Sequence, residues 1–337
     1  MAQIGIIGAG SWGTALAVLL AGNGHAVRLW SAIESEIMLL KEKREHSSKL
    51  PGVKLPESIQ ATTDLQLAMA DAELLVLAVP SVFVRETARS MKAYYQPRQI
   101  VVNVAKGIEE DSLMTMVDII EEELGGGTVC VLSGPSHAEE VGKKLPTTIV
   151  VGAKTRQIAE HVQSLFMNGV FRVYTSPDIL GIELGGSLKN VIALAAGMAD
   201  GLGFGDNTKA ALITRGIHEI GRLALAMGAK AETLNGLTGI GDLIVTCASV
   251  HSRNRKAGML IGQGKTPDQA MDEVQMVVEG VYSAKAAVKL GEKYQVSLPI
   301  IERVNKILFE ELPVKEAIFE LMQREKKTEY ENLEWET

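Results

Sequence analysis

Short apolar runs alternate with segments of helical spacing over the first half of the chain. The runs QIGII at 3–7 and ELLVLAV at 73–79 have the length and composition of buried strands. Strands that alternate with helices predict an α/β fold with a parallel sheet, whose ligands bind beyond the carboxyl ends of the strands. From Pro177 on, strand patterns largely give way to helical ones. We therefore predict a parallel-sheet domain over 1–177 and an all-α domain over 178–337.

The longest apolar stretch of the second half carries only two charges. From residue 179 to residue 198 only Glu183 and Lys189 are charged, which predicts a helix buried on most of its surface. Two charges and several glycines in mid-span argue against a membrane-spanning segment. Burial disfavours the ammonium form and lowers the pKa of a lysine. Gly185 and Gly186, one turn before Lys189, leave room for a backbone or a ligand.

Lys189 is therefore a candidate catalytic group, and two plainer interpretations compete with it. The lysine side chain can extend to the surface while its stem stays buried. It can also pair with a carboxylate, but Glu183 precedes it by six residues, about 600° of rotation, and lies on another face of the helix.

A glycine motif follows the first predicted strand and opens a predicted helix. Gly8, Gly10 and Gly13 form Gly-x-Gly-x-x-Gly in the strand–turn–helix context that binds a dinucleotide. The first glycine permits the tight turn, the second admits the pyrophosphate and the third lets helix pack on strand. We expect a Rossmann-type domain that binds NAD or NADP.

The end of the second predicted strand does not indicate which of the two cofactors is preferred. Many NAD enzymes place an acidic residue there for the ribose hydroxyls. Here Trp30 is followed by Ser31, Ala32 and Ile33, with Glu34 and Glu36 just beyond. The sequence offers neither a well-placed acid nor an arginine for a 2′-phosphate.

Two more strand ends carry candidate ligand contacts. Lys106 follows the strand QIVVNVA and is either an ordinary surface lysine or a contact at the binding edge of the sheet. Ser136 and Glu139 have the spacing of a capping box at the start of a helix, where free N–H groups favour an anion.

The helical half supplies two further clusters. Asp242 and Thr246 are spaced i, i+4 and share one helix face, although Asp242 alone also suits a helix cap. Ser252 is a predicted N-cap, and Arg253 at the same helix start makes either a solvated basic turn or a phosphate receptor. The spacing of His, Cys and carboxylate residues does not predict a metal site.

Composition and charge limit the classes of partner. The formal charge of -7 argues against a nucleic-acid binder, so basic residues for an anionic substrate must be gathered locally. Cys130 and Cys247 each lie in an apolar run, which does not indicate a disulfide framework and suits a reducing compartment. Because a strand begins at Gln3, we expect no signal peptide and a cytoplasmic location. The charged tail KKTEYENLEWET is predicted to be loose.

Seven segments together resemble the bacterial NAD(P)-dependent glycerol-3-phosphate dehydrogenases. They are GAGSWGTALA at 8–17, AKG at 105–107, LSGPSHAEEV at 132–141, GGSLKNVIALAAG at 185–197, GDNTKAALITRG at 205–216, GLTGIGDLIVTC at 236–247 and HSRNR at 251–255. The resemblance runs essentially from end to end. It implies interconversion of sn-glycerol 3-phosphate and dihydroxyacetone phosphate, which supplies the phospholipid backbone.

The resemblance also implies roles for individual residues. Lys189 becomes the proton donor and acceptor. The implied substrate contacts are Lys106, Gly134, Ser136, Asp242, Ser252, Arg253 and Asn254, and we include Lys189, Asn190 and Thr246 with them. The implied cofactor contacts, beside the three motif glycines, are Ser11, Trp12, Lys106, Ala138, Arg253, Val277 and Glu279. One departure concerns Ala32 and Ile33, where relatives often carry a basic residue or a histidine, so the resemblance does not imply a preference for NADP.

Two other functions fit parts of the same pattern. A β-hydroxyacid dehydrogenase also joins a dinucleotide-binding domain to a helical domain with a lysine, and a nucleotide sensor would bind NAD(H) without turnover. For the interpretation as a glycerol-3-phosphate dehydrogenase, we expect a small phosphorylated substrate, no nucleic acid, no stable membrane insertion and a homodimer.

Overall fold

The computed structural model describes residues 1–326, 328 and 329, so most of the tail predicted to be loose lies outside the described residues. The described part contains eight strands, all of which precede Pro177. They are β1 Gln3–Ile7, β2 Ala26–Trp30, β3 Ile59–Thr62, β4 Leu74–Leu77, β5 Ile100–Asn103, β6 Thr128–Ser133, β7 Thr147–Gly152 and β8 Phe171–Ser176. The strands form one sheet in the order β3-β2-β1-β4-β5-β6-β7-β8.

The prediction of a parallel sheet is wrong for one pair of strands. The first six strands are parallel, but β7 pairs antiparallel with β6, Leu132 lying opposite Val151, and β8 then runs parallel to β7. A parallel crossover usually contains a helix long enough to return along the sheet. The connection between β6 and β7 contains only a five-residue helix, Ala138–Gly142, so the chain turns back beside β6.

Sixteen α-helices complete the described chain. Those of the sheet part are α1 Ser11–Gly22, α2 Glu34–Lys43, α3 Leu65–Met69, α4 Val84–Met91, α5 Met116–Leu124, α6 Ala138–Gly142 and α7 Arg156–Phe166. Those of the helical part are α8 Ile179–Gly201, α9 Asp206–Ala226, α10 Ala231–Leu234, α11 Asp242–Ala248, α12 Arg253–Gly262, α13 Pro267–Val274, α14 Glu279–Tyr294, α15 Pro299–Phe309 and α16 Val314–Met322. A 3₁₀ turn at Ser81–Phe83 precedes α4, and a π-helical turn at Leu237–Gly241 precedes α11.

The sheet separates two apolar cores. Alternate residues of one strand enter opposite clusters: Ile4 and Ile6 pack with α1 and α7, whereas Ile7 packs with α4 and α5. A third cluster fills the helical part around α8.

Helix α8 lies at the centre of the helical part, against α9, α11, α12 and α14. It is the one described helix that is by itself long and apolar enough to cross a membrane, but 89% of that span is buried inside the protein. Packing against other helices therefore satisfies its apolar surface, and the prediction of a buried helix is confirmed.

Helices α8 and α12 pack with their backbones in contact. A Cβ on Gly197 of α8 would collide with the carbonyl of Arg255, and a Cβ on Gly258 of α12 would collide with the carbonyl of Leu194. Because each helix places glycine against the backbone of the other, the two cannot slide or separate without losing this contact.

Candidate active site

A cavity of about 1060 Å³ opens beside the carboxyl ends of β1, β2, β4 and β5 and is closed by the helical part. It brings together nearly all of the residues that the sequence predicts for a site. Lining it are Gly8, Gly10, Ser11, Trp12, Lys106, Ser136, Ala138, Lys189, Asn190, Asp242, Thr246, Ser252, Arg253, Asn254, Val277 and Glu279. Gly13 and Gly134 are not among the lining residues, but Gly13 packs against Gly8 and the carbonyl of Gly134 accepts from Lys106.

The glycine turn after β1 has the shape that a dinucleotide requires. Gly8 has a positive φ of 122°, and a Cβ on Gly13 would collide with the carbonyl of Gly8. A Cβ on Gly10 would meet no atom within 4 Å, so the second glycine faces open space. Gly10 caps α1 without a side-chain hydrogen bond, which leaves the first N–H groups of the helix for an anion. The turn therefore fits a dinucleotide pyrophosphate.

Two lysines meet on one carboxylate at the centre of the cavity. The Nζ of Lys189 donates to Oδ1 of Asp242 at 2.6 Å and to Oγ1 of Thr246 at 2.6 Å. The Nζ of Lys106 donates to the other oxygen, Oδ2 of Asp242, at 2.6 Å and to the carbonyl of Gly134 at 3.1 Å. Lys189 and Asp242 are 5% and 1% exposed.

The local sequence explains this arrangement. Asp242 and Thr246 are one turn apart on α11 and face the same way, as their spacing predicts. The glycines before Lys189 admit its neighbours: a Cβ on Gly185 would lie 2.7 Å from the carbonyl oxygen of Thr238, and one on Gly186 would lie 3.0 Å from Oγ of Ser133.

The environment of Lys189 makes it easier to deprotonate than an ordinary lysine. Burial is the largest cause, and with the nearby charge of Lys106 it lowers the pKa of Lys189 to about 8, although Asp242 acts in the opposite direction. For Asp242, burial raises the pKa, but the two ammonium groups outweigh burial and keep that pKa below its usual range. At neutral pH the cluster holds one carboxylate between two cations.

The start of α12 is the second polar region of the cavity wall. Ser252 caps the helix, its Oγ accepting from the N–H of Arg255 at 3.2 Å, as predicted. The side chain of Arg253 is exposed and has no hydrogen-bond partner among the described residues. An unpaired guanidinium next to the free N–H groups of a capped helix is suited to a phosphate.

Asn254 and Asn190 are already bonded to each other. Nδ2 of Asn254 donates to Oδ1 of Asn190 at 2.9 Å, and Oδ1 of Asn254 accepts from the N–H of Gly280 at 2.8 Å. These bonds join α12 to α8 and to the start of α14. The amide of Asn254 therefore contributes to the structure as well as to the cavity wall.

Glu279 connects the helical part to the sheet part. Its carboxylate accepts from the N–H of Ser81 at 3.0 Å and from the hydroxyl of the same serine. Burial raises the pKa of Glu279, while Ser81 and the charge of Arg253 act against that rise.

The capping box predicted for Ser136 and Glu139 is wrong. Helix α6 begins at Ala138, its N-cap is His137, and no side chain caps it. The hydroxyl of Ser136 donates instead to the carbonyl of Gly134 at 2.9 Å, because the chain is still turning at the end of β6.

His137 is a cavity residue that our sequence analysis did not select. Its Nε2 is buried without a hydrogen-bond partner within residues 1–326, and its ring centroid lies 5.9 Å from that of His251. Burial, together with the charges of Lys189 and Lys106, lowers the pKa of His137 to about 4, so the imidazole is neutral. Its position at a strand end, next to Ser136, was the available signal.

A polar cluster at the end of β2 was also missed. Glu36 accepts from the hydroxyl of Ser31 at 2.8 Å and from the ammonium of Lys49. Burial raises the pKa of Glu36, but hydrogen bonds from His46, Lys49 and Ser31 outweigh burial and bring it to about 2. Lys49 reaches this cluster from a loop between α2 and β3, which helical spacing cannot predict.

Comparison with known proteins identifies the family. The chain matches the NAD-dependent glycerol-3-phosphate dehydrogenase N-terminus over residues 3–159 and the C-terminus of the same family over residues 178–319. The chain belongs to the NAD-dependent glycerol-3-phosphate dehydrogenase family. Proteins named glycerol-3-phosphate dehydrogenase [NAD(P)+] from Agathobacter rectalis and Fusobacterium nucleatum are 68% and 58% identical to it. The first alignment covers 99% of this chain and 100% of the relative, and the second covers 98% and 100%.

A solved member of the glycerol-3-phosphate dehydrogenase family has the same fold. The crystal structure of glycerol-3-phosphate dehydrogenase from Coxiella burnetii superposes with a TM-score of 0.93 at 36% identity, covering 96% of this chain and 99% of that one. The predicted fold class, a Rossmann-type sheet followed by helices, is confirmed.

Proposed function

We propose that the protein interconverts sn-glycerol 3-phosphate and dihydroxyacetone phosphate by hydride transfer with NAD or NADP. The single observation that carries this proposal is the buried ammonium of Lys189, held by Asp242 and Thr246. The same cavity contains a glycine turn suited to a dinucleotide and an arginine that has no hydrogen-bond partner in the described part of the chain. Oxidation of a secondary alcohol needs a base for the hydroxyl proton, and reduction of the ketone needs an acid at the same oxygen.

Lys189 is proposed as that acid and base, and its hydrogen bonds leave one position for the substrate. An ammonium has three N–H groups, of which Asp242 and Thr246 accept two. The hydroxyl of Thr246 donates to the carbonyl of Asp242 at 2.6 Å, so its oxygen is free to accept from Lys189. When Lys189 is neutral, its two remaining hydrogens keep these partners and its lone pair takes the third position.

Lys106 and Asp242 are proposed to adjust this proton exchange. The charge of Lys106 favours release of the proton from Lys189, and Asp242 limits that effect while it fixes the direction of the amine. A group whose pKa lies near the working pH can act in both directions of a reversible reaction.

The start of α12 is proposed as the receptor for the substrate phosphate. Arg253 offers a two-pronged guanidinium, and the first turn of the helix adds backbone N–H groups. Binding the phosphate there positions the carbinol carbon at Lys189, so part of the binding energy contributes to turnover.

The cofactor would be held by the glycine turn and the start of α1, with Ser11 and Trp12 beside it. The nicotinamide, when bound, supplies or accepts the hydride. The sheet side of the cavity therefore holds the cofactor, and the helical side holds the substrate and its proton.

Nicotinamide absorbance tests this function directly. Glycerol 3-phosphate with NAD and with NADP should each be assayed, with a 3-hydroxy acid as the competing substrate. We expect turnover with glycerol 3-phosphate that rises with pH through about 8 as Lys189 loses its proton, and ketone reduction that falls over the same range. Turnover only with the 3-hydroxy acid would indicate a β-hydroxyacid dehydrogenase, and cofactor binding without turnover would indicate a sensor.

We further propose a cytoplasmic homodimer that supplies glycerol 3-phosphate for phospholipid synthesis. Two buried cysteines, both free, are compatible with a reducing compartment. We also propose the division into a cofactor domain at 1–177 and a substrate domain at 178–337. Light scattering on the purified protein tests the dimer, since a molar mass near 36.2 kDa would contradict it.

A further inference from the structure

Asn103 closes the turn that presents Lys106 to the cavity. It is the last residue of β5 and is completely buried. Its Nδ2 donates to the carbonyl of Ala105 at 3.0 Å, and its Oδ1 accepts from the N–H of the same residue at 3.0 Å. One amide thus satisfies both backbone groups of the residue before Lys106.

The other side of Asn103 is tied to α8. Oε1 of Glu183 accepts from Nδ2 of Asn103 at 3.4 Å and from the N–H of Val117 at 2.9 Å. Glu183 is 5% exposed and lies on the same helix as Lys189, six residues earlier. The carboxyl therefore connects β5 and the start of α5 to the helix that carries the proposed acid and base.

These contacts form a closed circuit through the site. Asn103 precedes Lys106 by three residues in the chain. The ammonium groups of Lys106 and Lys189 both donate to Asp242. Helix α8 then leads from Lys189 to Glu183 and back to Asn103. Resting on the proposed function, we infer that Asn103 is a positioning residue that fixes the ammonium of Lys106 against Asp242 and so controls proton exchange at Lys189.

The chemistry of the position requires an amide. Aspartate would have no hydrogen to donate to the carbonyl of Ala105 and would place a second carboxyl group near Glu183. On the far side of Lys106 the backbone is fixed by Gly107, where a Cβ would collide with Ser81. The backbone is therefore constrained on both sides of Lys106. Before it, the side chain of Asn103 binds Ala105, and after it, Gly107 packs against Ser81.

Loosening Lys106 changes the charges that Lys189 meets. Charged and titratable groups near Lys189 include Asp242 and Cys247 from α11, Lys106 after β5 and His137 after β6. Glu183, six residues earlier on α8 and bonded to Asn103, has its pKa raised to about 8 by burial. Of these, Lys106 is the nearby cation that lowers the pKa of Lys189, whereas Asp242 raises it. With Lys106 displaced, Asp242 acts on Lys189 alone and the pKa of Lys189 rises.

The test measures the pKa of Lys189 in Asn103→Ala by NMR titration of protein labelled at lysine Cε, with the resonance identified by its loss in Lys189→Met. We expect a rise of about 0.5–1 in the pKa of Lys189, and the midpoint of glycerol 3-phosphate oxidation should move to higher pH by the same amount. The kcat for oxidation of glycerol 3-phosphate at neutral pH should fall about threefold to tenfold, because a higher pKa leaves less neutral Lys189 to act as the base. The KM should change less. If the alanine variant does not fold, Asn103→Ser takes its place. Its hydroxyl cannot reach both backbone groups of Ala105, so the pKa of Lys189 should again rise.

A double-mutant cycle separates positioning from general loss of structure. In a Lys106→Met background, Asn103→Ala should add almost nothing to the pKa of Lys189, because both changes act through one ammonium. Asn23→Ala is the matched control: its Nδ2 donates to the carbonyls of Leu165 and Phe166 at 2.9 and 3.0 Å, away from the cavity, and the variant should leave the titration unchanged.

Two results would overturn the inference. One is an unchanged pKa of Lys189 in folded Asn103→Ala. The other is a pKa change of the same size when Asn103→Ala is made in the wild type and in the Lys106→Met background. The NMR titration needs no substrate, so it decides the role of Asn103 even if glycerol 3-phosphate is not turned over. Absence of turnover by the unaltered protein would count against the proposed function alone.

Discussion

The cavity has two walls that are built in opposite ways. The glycine turn after β1 offers backbone N–H groups and requires side chains to be missing, as at Gly13. The cluster around Lys189 offers charged side chains and requires them to be buried together. The first wall has the form of an anion site, and the second holds a lysine whose pKa is lowered to about 8.

The difference predicts different responses to mutation. A wall made of backbone is damaged by added volume, whereas a wall made of side chains is damaged by a lost charge or hydrogen bond. Changes in the two walls should therefore separate cofactor binding from turnover.

The largest effect is expected from Lys189→Ala. Removing the proposed acid and base should lower turnover at least about 10²-fold, the low end for general acid–base catalysis. Binding of NADH, measured by fluorescence, should stay within about twofold, since the variant leaves the glycine turn intact. Lys41→Ala, at an exposed position on α2, is the matched control for loss of a lysine. Near-normal turnover by Lys189→Ala would remove the assignment.

Arg253 is expected to follow, with an effect that depends on the substrate phosphate. Loss of a charge-assisted contact worth about 1.5–3 kcal/mol should lower kcat/KM for dihydroxyacetone phosphate roughly 10-fold to 150-fold in Arg253→Ala. For unphosphorylated dihydroxyacetone, the kcat/KM of Arg253→Ala should be close to that of the wild type. Arg253→Lys keeps the charge but not the fork, so it should remain clearly impaired.

Equal losses on the two substrates would contradict a phosphate role for Arg253. They would point instead to the cofactor or to folding, and a cofactor titration of the same variant would distinguish those two causes.

Gly13→Ala is expected to weaken the backbone wall by a smaller amount. The new methyl group would collide with the carbonyl of Gly8, and overpacking of this kind costs about 1–3 kcal/mol. NADH should bind about tenfold more weakly, and thermal unfolding should begin at a lower temperature. Gly22→Ala, on the same helix with open space around it, should change neither quantity. Unchanged cofactor binding in folded Gly13→Ala would show that this turn does not hold the pyrophosphate.

The smallest effect concerns the choice between NADH and NADPH. Ala32 and Ile33 offer no charge, and Arg28 donates to the carbonyls of Leu67 and Ala70. Lys49 lines the cavity but is paired with Glu36. We expect a preference for NADPH below about 100-fold, roughly 2.7 kcal/mol, and only a few-fold loss of that preference in Lys49→Ala. The ratio of kcat/KM for NADPH to that for NADH, in the wild type and in Lys49→Ala, measures both effects. A preference for NADPH above about 100-fold would contradict the inference that the end of β2 offers little positive charge.

The features whose geometry the structure reproduces as predicted are those with a short-range pattern. The glycine motif and the pair Asp242 and Thr246 are defined by spacing alone, and Lys189 was selected because a charge in an apolar helix is rare. Contacts between distant segments were not predictable in the same way. The antiparallel β7 depends on a connection that turns back, and the engagement of Asn254 by Asn190 depends on how two helices meet.

The glycine contacts between α8 and α12 fix one length inside the protein. Lys189 lies near the middle of α8 and Arg253 is the first residue of α12, and neither helix can slide past the other while the glycines face backbone. The packing of the two helices therefore fixes the separation between the backbones of Lys189 and Arg253. With the roles proposed above for Lys189 and Arg253, a substrate has to match that separation between its carbinol and its phosphate.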